Sequence, residues 1–157
     1  MKIVIILIVG FFLLAICYFS YLAYQSNKKT PPGLSNNQLQ HCPNTPNCLN
    51  SEFPDDSSHY IDALGYENKT IDEIRNIIRS SIESTGGSII NIQENYIAAT
   101  YTSKLFRYVD DFETRIDHEN TLIHFRSASR VGKSDFGANK KRILAIKNKI
   151  GLETNNK

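Results

Sequence analysis

The chain has almost no net charge: 18 Lys and Arg against 16 Asp and Glu leave +2 over 157 residues. Overall electrostatics therefore give no argument for nucleic acid as a partner. Cysteine is scarce, with three residues, one of them inside an apolar run. That excludes a disulfide-dense scaffold, and a domain of this size can bury enough surface to do without one. No serine or cysteine stands in a recognisable nucleophile signature with His41, His59, His118 or His124, so nucleophilic catalysis has no support here. Zinc would need four ligands, and beside Cys42 and Cys48 only His41 is adjacent; no metal and no cofactor is expected.

What the chain does have is one long apolar run. Ile3–Tyr24 carries no charge and a single glycine, Gly10. About 20 such residues in a helix cross the hydrocarbon layer of a bilayer. Tyr18, Tyr21 and Tyr24 gather at its C-terminal end, where an aromatic belt meets the headgroups. A cleaved signal peptide is the alternative, but the run is longer than a signal core and no Ala-x-Ala site follows it. Leu14-Ala15-Ile16-Cys17 departs from a lipoprotein box at Ile16. Residues 1–24 are read as an uncleaved single-pass signal-anchor, with Cys17 as an apolar filler. Lys2 before the span and Lys28 and Lys29 after it leave the positive-inside rule nearly balanced, so the other cysteines must set the orientation. Cys42-Pro43-Asn44-Thr45-Pro46-Asn47-Cys48 is a turn-rich loop that suits a disulfide. Free thiols, and less readily a metal, stay open beside it. A disulfide implies an oxidising compartment and an extracytoplasmic, periplasmic or extracellular, domain.

Residues 25–40 are polar, with Pro31-Pro32-Gly33, and read as a linker. The domain is expected over 41–150 and a disordered tail over 151–157. His59–Leu64 suggests a short strand. Thr70-Ile71-Asp72-Glu73 is a capping box that opens a helix with Ile71, Ile74, Ile78 and Ile82 on one face; Gly86-Gly87 ends it. Strands are expected at Ser88–Ile92, Tyr96–Thr102, Phe112–His118 and Thr121–Ser127, the third alternating Phe112, Thr114, Ile116 with Glu113, Arg115, Asp117. A last helix, capped by Asp135, runs to about Ile150 with Phe136, Ile143, Ile146 and Ile150 on its apolar face. The fold class is α+β: an antiparallel sheet of four or five strands covered by two amphipathic helices, preceded by one transmembrane helix.

Charge is segregated locally. Asp110, Asp111, Glu113, Asp117 and Glu119 fill an acidic segment, and Arg126, Arg130, Lys133, Lys140, Lys141, Arg142, Lys147 and Lys149 a basic one. The acids Asp110, Asp111 and Glu113 are the only candidates for acid–base chemistry, and none is assigned a catalytic role; turns and edge protection explain them equally. In the basic segment, a strand end, a Ser/Gly loop and a helix start follow one another, a sequence of features suited to an anion. Its candidate ligand-binding residues are Arg126, Ser127, Ser129, Arg130, Ser134, Asn139 and Arg142. Gly132-Lys133-Ser134 lacks the preceding glycine of a phosphate-binding loop. The same arginines could instead pair with Asp110, Asp111 or Glu113 across the sheet.

Three motifs in order, Cys42–Cys48, Phe106-Arg107-Tyr108-Val109-Asp110-Asp111-Phe112-Glu113, and Arg126–Asn139, resemble the family known as domain of unknown function 1499. The resemblance spans about His41 to Ile150. It implies a small domain, often membrane-attached or exported, without an assigned reaction. At Lys140-Lys141-Arg142 the chain departs from a family pattern of Asn-Arg-x-Arg: Lys140 stands for the first arginine, which loses a two-pronged donor. Three functions follow as expectations: a membrane-tethered module binding an anionic ligand, lipid headgroup or membrane protein partner through the Arg126–Arg142 surface; a hydrolase-like enzyme using Asp110, Asp111 or Glu113; or a structural accessory subunit of a membrane complex.

Overall fold

The computed structural model describes residues 1–155. Helix α1 (Lys2–Lys28) takes in the whole apolar run and is long and apolar enough to cross a membrane. A small hairpin follows, β1 (Leu34–Ser35) and β2 (Gln38–Leu39), turned by Asn36 and Asn37 in the left-handed region. Asparagine tolerates that conformation through local hydrogen bonding.

The main sheet has six strands, all antiparallel: β3 (Cys48–Asn50), β4 (Leu64–Gly65), β5 (Ser88–Ile92), β6 (Tyr96–Thr102), β7 (Val109–Asp117) and β8 (Leu122–Ser129). Their order is β3-β8-β7-β6-β5, with β4 also pairing β8. The α+β class holds, and the sheet is larger than four or five strands because two short segments without periodicity, β3 and β4, borrow their register from β8. The short strand expected at His59–Leu64 begins only at Leu64; Tyr60 makes an isolated bridge to Asn50.

Helix α2 (Ile71–Ser84) starts where the capping box places it. Thr70 donates its N–H to Glu73 Oε2 at 2.7 Å, and Glu73 donates its N–H to Thr70 Oγ1 at 3.3 Å. Ile74, Ile78 and Ile82 are fully buried on the sheet. At its end Gly86 takes φ +90°, and a Cβ on Gly87 would lie 2.6 Å from both Ile82 and the Tyr101 ring. The two glycines therefore serve different ends, one a left-handed turn and the other a close approach.

Helix α3 (Ala138–Asn155) buries Ile143, Ile146 and Ile150 beside α2. It starts three residues after Asp135, whose carboxylate still accepts the N–H groups of Gly137 and Asn139. Phe136, expected on the apolar face, is 93% exposed because the chain there turns through positive φ before the helix begins. The helix also continues beyond Ile150 to Asn155, so residues 151–155 of the expected tail are helical; 156 and 157 lie outside the described residues.

Period-two geometry sorts the sheet into two faces. Ile97, Ala99, Phe112, Ile116, Ile123 and Phe125 face the helices and form the main core. Tyr96 and Ala98 face the other way and pack with Leu39 and Leu34 of the small hairpin. The segment expected as a polar linker is therefore a cover for the second face. With both faces covered, β7 is buried along nearly its whole length.

Candidate functional site

Alternation along β7 separates the three acids. Asp110 shares the helix-facing side with Phe112, while Asp111 and Glu113 point to the hairpin side. The sequence neighbours Asp110 and Asp111 are thus divided by the sheet. Six of the seven candidate ligand-binding residues divide between the same two sides, and Ser134 belongs to neither.

On the hairpin side, Arg126 sits directly across from Glu113 in the ladder, with its Nη1 2.8 Å from Glu113 Oε2. Glu113 is wholly buried, and its other oxygen accepts from Tyr96 Oη at 2.7 Å and from the Gly33 N–H at 2.9 Å. Burial pushes the Glu113 carboxyl up from its ordinary range, against the opposing pull of Arg126 and these hydrogen bonds. Arg130 donates from Nε to Asp111 Oδ1 at 2.8 Å and from Nη1 to the Ser26 carbonyl at 2.9 Å. Ser26 itself, in the last turns of α1, is fully buried and accepts the Val109 N–H on its hydroxyl at 3.1 Å. Lys29 donates back to the Arg130 carbonyl. One arginine therefore ties the acidic strand, the basic strand and the end of the apolar helix together.

On the helix side, Arg142 Nη2 reaches Asp110 Oδ2 at 2.8 Å, and its guanidinium lies 4.5 Å from the centre of the Tyr101 ring. Its Nη1 donates to Ser127 Oγ and to Asn139 Oδ1. Asn139, almost fully buried, is the hub: it also accepts from Ser127 Oγ at 2.6 Å and donates to the Asn47 carbonyl at 2.8 Å and to Ser129 Oγ at 3.1 Å. Asn47 in turn donates to the Gly132 carbonyl at 3.0 Å. Cys42 and Cys48 form the disulfide, with sulfurs 2.04 Å apart, so the turn-rich loop presents Asn47 to this hub. Ser134 stays apart in an exposed loop, where its hydroxyl accepts the Phe136 N–H at 3.4 Å.

Of the expected anion-binding residues, the three arginines thus hold carboxylates of the same chain. Arg142 retains its fork at the position where the motif keeps arginine, and Lys140 is exposed. Sequence reading missed Ser26, Gly33, Asn47 and Tyr96. Asn47 stands within the Cys42–Cys48 motif, but nothing local marks the other three. A further buried pair, Arg115 with Glu52 at 2.6 Å, closes the far end of the hairpin side.

His124, opposite Arg115 in the ladder, lies 3.3 Å from Ser51 Oγ through Nδ1. His118 instead meets the Tyr66 hydroxyl at 3.1 Å. Among the described residues no group of three His, Cys, Asp or Glu comes together to hold a metal ion. Burial holds His124 below its ordinary range, with Arg115 adding to the effect and Glu52 and Asp117 opposing it. The folded state thus favours neutral His124, and the unfolded chain binds the proton first as pH falls. Stability is full above the unfolded value of about 6.5 and declines as pH drops towards the depressed folded value, by at most about 1.4 kcal/mol per pH unit. Thermal unfolding across this range should show that slope, and His124→Gln should flatten it.

No curated protein matches the chain. The pattern of the family described as protein of unknown function DUF1499 matches residues 38–150. That span includes Asn47, Asp110, Ser127, Asn139 and Arg142, the residues that meet at the helix-side hub. The chain belongs to the DUF1499 family.

Proposed function

We propose that the chain is a single-pass membrane protein whose domain stands on the extracytoplasmic side and binds anionic groups, lipid headgroups foremost, along the segment Arg126–Arg142. The observation that carries this reading is the junction at Ser26. Arg130 and Lys29 lock the start of the basic loop to the end of α1, so that loop is held beside the end of the membrane helix. Within the segment the division of labour differs from the expected one. Arg126, Arg130 and Arg142 shape the scaffold, and the exposed Lys133, Lys140 and Lys141 take the anion. The Cys42–Cys48 bond supports the oxidising side of the membrane.

A hydrolase-like role finds less support. Asp110 and Asp111 lie on opposite faces of β7, and each already holds an arginine.

Each lysine near a charged bilayer contributes about 1 kcal/mol, so three contribute roughly a hundredfold in affinity. Native mass spectrometry of the full chain released from nanodiscs of mixed phosphatidylcholine and phosphatidylglycerol should show the anionic lipid retained in preference. Joint replacement Lys133→Glu, Lys140→Glu and Lys141→Glu should abolish that preference. Equal retention of both lipids by the unaltered chain would overturn the proposal and favour a structural accessory role; retention of a protein would favour a partner.

A further inference from the structure

The connection between β6 and β7 is a closed loop with an apolar tip. Ser103 donates its N–H to the Tyr108 carbonyl at 2.8 Å, and its hydroxyl accepts the Tyr108 N–H at 2.9 Å. Arg107, at φ +59°, makes the turn. At the tip Leu105 is 80% exposed, and Phe106 is also exposed although it stacks on Tyr108. Two adjacent large apolar side chains projecting from a tightly closed loop have no packing purpose inside the domain.

The surroundings of the tip give it one. The Phe106 ring lies 4.9 Å from the ring of Phe19, a residue inside the apolar run of α1. Ile16, Phe19, Ser20 and Ala23 of α1 and Leu105, Phe106 and Arg107 of the loop line one shared hollow. These α1 residues precede Ser26 by three to ten positions, which at 1.5 Å per residue is about 4.5–15 Å along the helix axis. The loop therefore reaches down past the point where the domain is fastened to α1, to the level of uncharged, lipid-facing helix. Lys104 and Arg107 flank the tip, with long stems that let their charges rise to the headgroups.

We propose that Leu105 and Phe106 are inserted in the apolar layer of the bilayer beside α1, as a second membrane contact that fixes how the domain is turned about its anchor. The occupant of this exposed tip is lipid, because the patch is continuous with the surface of α1 at the same depth. The inference rests on the reading of α1 as a membrane span.

The chain contains no tryptophan, so single tryptophans report without background. The full chain is reconstituted in vesicles whose phosphatidylcholine is brominated on its acyl chains, with iodide as the aqueous quencher. Leu105→Trp is expected to emit to the blue, to be quenched by bromolipid as strongly as Phe19→Trp, and to be spared by iodide. Leu144→Trp, on the exposed side of α3, should behave in the opposite way. Loss of bromolipid quenching at Phe19→Trp itself would remove the membrane span and the inference with it. Quenching at Phe19→Trp with an iodide-sensitive Leu105→Trp would leave the anchor standing and overturn the inserted loop. Protection of Leu105→Trp from both quenchers would also overturn it, and would assign the tip to a protein surface.

Discussion

Replacing Glu113 by alanine is expected to lower the stability of the domain by about 3–5 kcal/mol, the cost of leaving a buried partner charge uncompensated. Arg126 is almost as buried as Glu113 and has no second carboxylate among its described partners. The Tyr96 hydroxyl and the Gly33 N–H would lose their acceptor in the same step. Chemical unfolding of the full chain in detergent micelles would read the loss directly. A change below about 1 kcal/mol, the value of an exposed pair, would show that Glu113 does not hold Arg126, Tyr96 and the Gly33 segment together. Converting both partners, Glu113→Leu with Arg126→Met, should return part of the loss, since no buried charge remains; the recovery is incomplete because Tyr96 and Gly33 still lack their acceptor. The altered site also holds the cover segment, so limited proteolysis between Lys29 and Leu34 should accelerate in Glu113→Ala and stay slow in the unaltered chain.

Asn139→Ala ranks second, with an expected loss of about 3 kcal/mol. The side chain serves four partners, and each buried polar group left without one costs about 1–3 kcal/mol. Ser127 and Arg142 can still satisfy each other and Asp110. The Asn47 carbonyl keeps only the Ser129 N–H, and Ser129 Oγ loses its donor. Beyond the stability change, the disulfide loop should loosen. Faster reduction of Cys42–Cys48 by a mild thiol, measured by mass against the unaltered chain, separates this hub from a merely local packing site. A reduction rate equal to that of the unaltered chain would show that Asn139 does not fasten the loop.

Elements built by local rules were legible in advance. The capping box and the isoleucine stripe define α2, and the strands β5 and β6 match their expected bounds. The pairing of arginines with acids stood as one of two open readings of the basic segment. The choice between them was not legible, because it depends on which face of β7 each acid occupies and on what covers that face. Glu113, Arg115 and Asp117 carried the pattern of a solvent-facing edge, yet Glu113 and Arg115 are buried. At Glu113 the reason is the hairpin Leu34–Leu39, whose leucines pack on Tyr96 and Ala98 and bring Gly33 to Glu113; at Arg115 the partner is the buried side chain of Glu52. A two-residue strand has no periodicity, so that segment looked like a linker.

Composition, spacing and capping chemistry over a few neighbouring positions were enough to specify the uncharged run of α1, the α+β class, the family and the residues of the polar motifs. Tertiary structure alone decided that Asp110 and Asp111 serve opposite faces, that the arginines are spent on carboxylates of the same chain, and that Ser26 joins the apolar helix to the sheet. Those outcomes depend on contacts between residues 13 to 104 positions apart, from Glu113 with Arg126 to Ser26 with Arg130, whose partners no local pattern announces.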